Sequence, residues 1–362
     1  MFLDKHARLL AGVLGLMALA PQTSAAPWGH WHDRHHGPGD RGDSTPSVTP
    51  TPSSQPTGVF SIQPVQPTDV SSVIPTLGAS STPAATPSAS FATISSSSAK
   101  GEVMIPYYLY PEAGKWEPLE NLSVLPILSS PCYLDANRDR VTSNPDVKFT
   151  VIVNPDNGPG GSTTLQDQNF LTNIPKLAAH SNVRLIGYVA TGWGDRDISE
   201  VQADIKQYAE WPSSSGDSSF AVKGIFLDEG ATAYSEATVS FYEQAASLIK
   251  ESSGLGPDNY VVANPGTPPD AAYLKMVDSS VIFESPYAEF ENALSSSTFS
   301  SLQDTTGIDR ASMVYNVPES VDLSSVLEKV KGISNQVYIS NVNNYATYDP
   351  AWETVAQLLT SN

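Results

Sequence analysis

Short apolar runs alternate with amphipathic segments along residues 101–362. Eight runs are nearly continuous in apolar and β-branched residues, which is typical of strands buried on both faces. They lie at 103–110, 149–154, 184–191, 222–229, 260–264, 280–284, 312–317 and 336–341. Helical spacing of apolar residues predicts helices at 167–180, 197–211, 236–251, 322–331 and 351–360. We expect Pro175 to break the first of these helices.

Regular alternation of strands and helices predicts a parallel sheet. Eight strand–helix units match the usual size of a (β/α)8 barrel, roughly 250 residues. An open doubly wound sheet is the main alternative, but no glycine-rich phosphate loop follows the first strand. We therefore predict an α/β fold: a single (β/α)8 TIM barrel over 101–362, which follows a disordered N-terminal stalk.

Residues 1–25 have the pattern of a signal peptide. Lys5 and Arg8 precede an apolar run over 9–20, and small residues end the segment at Ala25. The run is short for a membrane span, which needs about 20 apolar residues. We expect cleavage, secretion and no membrane contact in the mature form, with a type II membrane anchor as the alternative.

Residues 26–100 are predicted to be a disordered linker. Ser, Thr and Pro dominate, and the apolar residues are too scattered to form a core. This composition is typical of an O-glycosylated stalk, which would hold the domain near a cell wall. Four histidines lie within 30–36, but a disordered or processed tail is favoured over a metal site there.

The negative charge is confined to the predicted barrel. Five Lys/Arg and five Asp/Glu cancel in the first hundred residues, so the net charge of −19 belongs to residues 101–362. An acidic surface disfavours nucleic acid and anionic membranes as partners and suits a neutral or cationic polymer. Solubility outside the cell would also explain most of this charge.

Polar or aromatic side chains end each predicted strand. In a (β/α)8 barrel the carboxyl ends of the strands form the active-site face. Asn before Pro also favours turns, so Asn154 and Asn264 are as compatible with a turn as with a ligand contact. The candidate substrate-binding residues are Tyr107, Tyr108, Asn154, Trp193, Asn264, Tyr287, Asn316 and Asn341.

Carboxylates end two of the buried strands. Asp228 and Glu229 follow the apolar segment 224–227, and Glu284 follows 281–283. A buried carboxylate is costly unless it is solvated, paired or used, and basic residues for salt bridges are scarce. Because neighbouring side chains of a strand point to opposite sides, Asp228 and Glu229 can both face inward only if the strand has ended.

Other chemistries lack the necessary residues. The domain has one histidine, His180, so neither a Ser-His-Asp triad nor a His-rich zinc site is available, and no cofactor motif is present. We predict no metal and no cofactor. Two carboxylates flanking one bond are the usual apparatus of a glycosidase. The predicted catalytic residues are Asp228, Glu229 and Glu284, although the pattern does not assign acid, nucleophile or stereochemistry.

Six short motifs lie at or near the strand ends: IPYY at 105–108, VNP at 153–155, GYVATG at 187–192, GIFLDE at 224–229, ANPG at 263–266 and FE at 283–284. As a set, they resemble the spherulin-4 (spherulation-specific family 4) proteins. That resemblance implies a secreted fungal glycoside hydrolase with a (β/α)8 fold. It further implies endo cleavage of α-1,4-linked N-acetylgalactosamine in galactosaminogalactan, a biofilm exopolysaccharide. The family's acids fall on Asp228, Glu229 and Glu284.

Two other functions fit the same sequence. One is a non-catalytic carbohydrate-binding or cell-wall-associated spherulation protein, which would need the aromatic residues but not three acids. The other is a hydrolase of a polysaccharide with a different linkage or acetylation. In each case we expect a polysaccharide partner and a monomeric protein.

Overall fold

A computed structural model describes residues 101–123, 144, 146–302 and 307–361. The predicted signal peptide and linker lie outside these residues. Eight parallel strands, each hydrogen-bonded to its neighbours in chain order, close into a barrel, which confirms the predicted (β/α)8 fold. The strands are β1 Glu102–Tyr107, β2 Lys148–Val153, β3 Val183–Ala190, β4 Gly224–Asp228, β5 Tyr260–Ala263, β6 Ser279–Pro286, β7 Asp309–Tyr315 and β8 Gln336–Ile339.

The strands coincide with the apolar runs because both of their faces are covered. Side chains on one face fill the barrel, and those on the other pack against the helices. Several runs were predicted to extend beyond the actual ends: β1 stops at Tyr107 and β4 at Asp228. β6 is longer than predicted and continues through Glu284 to Pro286.

Helices surround the barrel, and most of them follow the strand that precedes them in the chain. Four of the predicted helices begin at an Asp or Ser whose side chain accepts a hydrogen bond from the first turn, which satisfies a free backbone N–H there. The described helices are α1 Glu117–Ser123, α2 Gly161–Gln166, α3 Gln168–Ala178, α4 Ile198–Ser215, α5 Glu236–Glu251, α6 Ala271–Leu274, α7 Tyr287–Ser295, α8 Leu323–Lys331 and α9 Ala351–Ser361.

The prediction that Pro175 breaks a helix was wrong, because α3 continues to Ala178. Proline removes the N–H that would bond to the carbonyl of Leu171, at a cost of about 3 kcal/mol. Leu171 and Pro175 share a half-buried side of the helix, whereas Phe170 and Ile174 on the adjacent side are buried. We attribute the continuation of α3 to burial of that apolar side.

The amino-terminal end of the barrel is occupied by a polar network. Arg184 forms ion pairs of 3.1 Å with Glu102 and Asp258, and its guanidinium lies 3.9 Å from the centre of the Tyr260 ring. The Tyr260 hydroxyl donates to Asp309 at 2.9 Å. The candidate catalytic acids lie at the opposite, carboxyl-terminal end. In the described ranges, the helices are too short or too polar to cross a membrane.

Candidate active site

Three neighbouring strands bring two acids and an amide together. Asp228 is the last residue of β4, Asn264 follows β5, and Glu284 lies near the end of β6. The Asn264 side-chain nitrogen donates to Asp228 Oδ1 at 2.7 Å and to Glu284 Oε2 at 2.5 Å. Each of its two hydrogens therefore serves one carboxylate. The sequence predicted all three residues but not this bridge.

Asp228 is buried, with 8% of its surface exposed, and within the described ranges its carboxyl group accepts hydrogen bonds only from neutral groups. Besides Asn264, the hydroxyl of Tyr188 donates to it. Burial, and then the negative charge of Glu284, raise the pKa of Asp228 to about 7. This carboxyl group therefore keeps its proton to a higher pH than an ordinary aspartic acid does, which suits a general acid.

Glu284 is half-buried and accepts a hydrogen bond on each oxygen. Tyr345 donates its hydroxyl to Oε1 at 2.5 Å, while Asn264 binds Oε2. Neutral donors thus engage both oxygens of Glu284. A shift in the β6–β7 register between Val281 and Phe283 precedes this residue, and such irregularities commonly redirect a side chain near an active site.

Glu229 lies beyond the end of β4, so strand alternation does not prevent Asp228 and Glu229 from both facing inward. Its φ of 54° is left-handed, which is uncommon for a residue with a long side chain. The backbone N–H of Gly192 donates to Glu229 Oε2 at 3.1 Å, and Trp193 N–H donates to the Glu229 carbonyl at 2.6 Å. These contacts fix the third acid beside the first.

None of the three acids forms an ion pair with Lys, Arg or His within the ranges the structure describes. The salt-bridge explanation for acids at the strand ends is therefore not supported. Hydrogen bonds to neutral amide, hydroxyl and peptide groups take the place of cations. Among these same residues, no cluster of three or more His, Cys, Asp or Glu side chains is arranged to hold a metal ion.

A row of three tyrosines in ring contact also links Asp228 to Glu284. Tyr188 contacts Asp228, and its ring lies edge-on to Tyr108 at 5.5 Å. Tyr108 in turn lies edge-on to Tyr345 at 5.6 Å, and Tyr345 donates to Glu284. Burial, and then the charge of Asp228, raise the pKa of Tyr108 well above its usual value. These hydroxyls therefore remain neutral donors.

Two of these tyrosines were missed from the sequence. Tyr188 lies two residues before Ala190, and Ala190 pairs with Asp228 in the β3–β4 register. Because residues two apart on a strand face the same side, this alternation could have identified Tyr188 as a residue of the site. Tyr345 lies in the loop after β8, where strand alternation does not predict the direction of a side chain. Tyr315, at the end of β7, is also near the site, because Glu284 contributes to the raised pKa of its hydroxyl.

The expectation that Tyr107 binds substrate was wrong. Its side chain is 1% exposed, and its hydroxyl donates to the Lys115 carbonyl at 2.8 Å. The ring packs against Trp116 and Trp352, between the barrel and the outer helical layer. Since alternate residues of a strand face opposite sides, Tyr108 rather than Tyr107 reaches the carboxylates.

Three predicted asparagines have roles in the loops or lie at the surface. Asn154 Oδ1 accepts from Gly158 N–H at 2.9 Å, which closes a turn after β2. Asn341 Nδ2 donates to the Val317 carbonyl at 2.6 Å and joins the loops after β7 and β8. Asn316 is exposed, with a left-handed φ of 53°. None of the three contacts the acids.

The remaining two predicted aromatic residues lie at the rim. Tyr287 begins α7, and its hydroxyl interacts with Glu291 on the same helix, away from the acids. Trp193 is 56% exposed and is held next to Glu229 through its backbone. Trp193 therefore remains a candidate for substrate contact, whereas the contact made by Tyr287 supports only a role within the helical layer.

Solved structures place this geometry in a known context. The crystal structure of Aspergillus clavatus Sph3 in complex with GalNAc matches with a TM-score of 0.64 and 36% identity. The match covers 72% of this chain and 98% of the Sph3 chain. The two proteins therefore share the barrel over nearly the whole of Sph3, a protein that binds GalNAc in its crystal.

Sequence comparison identifies the family. Spherulin-4 of Physarum polycephalum is 33% identical over 194 residues, which are 53% of this chain and 47% of spherulin-4. The match thus spans about half the length of that relative. Residues 102–359 match Spherulin4, spherulation-specific family 4, over the entire barrel. The chain therefore belongs to spherulation-specific family 4.

Proposed function

We propose that this protein is a secreted, endo-acting glycoside hydrolase that cleaves α-1,4-linked N-acetylgalactosamine in a galactosaminogalactan-type exopolysaccharide. The observation that carries this proposal is the pair Asp228 and Glu284, bridged by Asn264 at the carboxyl end of the barrel. The substrate class is supported by the 36% identical Sph3, which was crystallised with GalNAc.

We base the proposed roles of the two acids on their environments. Asp228, buried and with its pKa raised to about 7, protonates the glycosidic oxygen as the bond to C1 breaks. Glu284, with a donor on each oxygen, attacks C1 and forms a glycosyl–enzyme ester. Water then attacks C1, gives its proton to Asp228 and releases Glu284.

Glu229 acts on the substrate rather than on the bond. Its carboxylate is fixed by Gly192 and lies close enough to Tyr188 to raise the pKa of that hydroxyl. We assign it to accept a hydrogen bond from the acetamido N–H of the sugar. No cofactor takes part in this scheme.

The decisive experiment is release of reducing ends from purified galactosaminogalactan by the full chain. Glu284→Gln and Asp228→Asn should each lower the rate by about 10²–10⁴-fold. Glu289→Gln, an exposed acid of α7, is the matched control and should retain the rate. Binding of the polymer without cleavage would instead favour the non-catalytic carbohydrate-binding function, and neither binding nor cleavage would exclude this substrate.

Secretion is tested separately. We propose that residues 1–25 direct export and that residues 26–100 are a stalk. Amino-terminal sequencing of protein recovered from the culture medium should begin at Ala26. Protein that remains in the membrane fraction with an intact amino terminus would support the type II anchor.

A further inference from the structure

Three large hydrophobic side chains are exposed in the part of the chain that the structure describes: Tyr110, Trp193 and Tyr234. They follow β1, β3 and β4, which lie within one half of the barrel. All three are therefore on loops at the carboxyl-terminal face, the same face as Asp228. Exposed apolar side chains gathered on one face indicate a contact surface.

Local packing explains Tyr110. Its hydroxyl donates to Asp167 at 2.6 Å and accepts from Asn169 at 2.9 Å, and its ring lies edge-on to Phe170 at 5.5 Å. Neither Trp193 nor Tyr234 makes such a ring contact in the described ranges. Their exposed fractions, 56% and 60%, are also much larger than the 37% of Tyr110.

The backbone at Trp193 is held in an unfavourable conformation. Its φ of 56° is left-handed, between Gly192 and Gly194, which are also left-handed. A bulky residue in this region is a conformational outlier, and such strain concentrates at functional sites. The hydrogen bond from Trp193 N–H to the Glu229 carbonyl holds the conformation. Since the indole is mostly exposed, packing does not account for the strain.

Tyr234 occupies a position where an apolar side chain is normally covered. It precedes Ser235, the residue that caps α5, and a residue there often packs on the side chain four places after the cap, here Val239. Tyr234 is instead 60% exposed. Its loop is nevertheless fixed, because the neighbouring Ala233 carbonyl accepts from the Tyr273 hydroxyl at 2.9 Å.

The two loops are attached to one residue of α5. The Tyr242 hydroxyl lies 2.7 Å from Thr191 Oγ1 and accepts from Ala231 N–H at 3.0 Å. Thr191 begins the loop that carries Trp193, and Ala231 belongs to the loop that carries Tyr234. Trp193 and Tyr234 are thus presented from a shared, rigid support beside the third acid, Glu229.

We propose that Trp193 and Tyr234 form a sugar-stacking platform that binds a stretch of polysaccharide outside the bond being cleaved. This proposal rests on the proposed function, because the polymer must enter the same face. Aromatic rings offer flat apolar faces to the C–H face of a pyranose ring, and rings on fixed loops lose little conformational entropy on binding. A linear polysaccharide suits this platform because it can contact Glu229 and the rings at the same time.

The test is direct binding in a Glu284→Gln background, measured by isothermal titration calorimetry. The probes are short and long α-1,4-linked N-acetylgalactosamine oligosaccharides. Trp193→Ala and Tyr234→Ala should each weaken binding of the long probe by about three- to tenfold and affect the short probe less. Trp193→Phe and Tyr234→Phe should restore most of the affinity. Tyr110→Ala is the control and should not change the affinity ratio between the two probes.

An unchanged affinity for the long probe in both alanine variants would overturn the proposal, provided that their thermal unfolding matches the parent. Equal losses for short and long probes would also overturn it, because the rings would then contact sugars at the cleaved bond. Because the assay measures no cleavage, the platform can be present even if the wild-type chain cuts nothing. Failure of the proposed function is therefore distinguishable from failure of this proposal.

Discussion

Asp228 and Glu284 accept hydrogen bonds from one atom, the side-chain nitrogen of Asn264, at 2.7 and 2.5 Å. The two carboxylate oxygens are therefore at most about 5 Å apart, the sum of these distances. Retaining glycosidases hold their carboxyl groups about 5–5.5 Å apart, whereas inverting enzymes need about 6.5–9.5 Å for a water molecule between acid and sugar. The bridge thus keeps one oxygen of each carboxylate close to the other, which favours direct attack by a carboxylate.

Cleavage should consequently retain the configuration at C1. Proton NMR during the first minutes of hydrolysis, before mutarotation, should show α-anomeric reducing ends from the α-linked polymer. A β-anomer formed first would mean that water attacks directly, and Glu284 would then act as a base rather than as a nucleophile.

Replacement of Asn264 tests whether the bridge positions the acids. Asn264→Ala removes both hydrogen bonds, and we expect kcat to fall by about 10²-fold with a smaller change in KM, because displaced catalytic groups lose their alignment. The amide also lowers the pKa of Asp228 by favouring its charged form, so the alkaline limb of the kcat profile should move to higher pH. Asn316→Ala, at an exposed strand-end asparagine, is the control. A fall in kcat without a shift of that limb would contradict the positioning role.

The pH dependence of the wild-type enzyme follows from the raised pKa of Asp228, about 7. The acid must hold its proton in order to give it to the leaving oxygen. Activity should therefore fall about tenfold per pH unit above neutrality, as Asp228 ionises. Initial rates between pH 5 and 9 on the acetylated polymer, whose charge does not change over this range, would check this. Activity that rises through pH 7 would assign Asp228 as a base.

Asp228 should also make the folded protein less stable at alkaline pH. Folding raises the pKa of Asp228 from its ordinary value of 3.8 to about 7, so between these values the folded state binds more protons than the unfolded state. Stability from this group is present below pH 4 and is lost as pH rises to 7. The Asp228→Asn variant has no carboxyl group to ionise, so its Tm at pH 8 should exceed that of the wild type. Calorimetry at pH 4 should show a much smaller difference.

The spacing of apolar residues and the residue types at the strand ends were sufficient to predict the barrel and the location of the acids. The runs of apolar residues that end in Asp228 and Glu284 are strands, because burial on both faces leaves only the strand end for a charged group. The exact strand ends were less predictable. β1 stops at Tyr107, so the alternation that sends Tyr107 outward and Tyr108 inward could be seen only in the structure.

The hydrogen-bonded partners of the acids could be identified only from the three-dimensional structure. Asn264 was equally compatible with a turn and with a ligand contact, and it does both: Oδ1 accepts from Gly266 N–H at 3.1 Å, and Nδ2 bridges the acids. Tyr345 comes from a loop 61 residues after Glu284, and no local pattern links the two. Contacts between distant loops depend on closure of the barrel, which brings β6 and β8 to the same rim.

The charge of the domain predicts how binding depends on salt. The entire net charge of −19 lies in residues 101–362, and the three acids of the site have no cationic partners in the described ranges. A partly deacetylated galactosamine polymer carries protonated amines at pH 6, so long-range attraction should add to its affinity. Added salt screens this attraction, because the Debye length falls from about 10 Å at 0.1 M to about 3 Å at 1 M.

We expect binding of Glu284→Gln to the deacetylated polymer to weaken by about tenfold over this range, as measured by affinity electrophoresis. The fully acetylated polymer is the matched control and should bind equally at both concentrations, since stacking and hydrogen bonds to neutral sugars are little screened. Equal salt responses for the two polymers would mean that the acidic surface contributes to solubility rather than to recognition of the substrate.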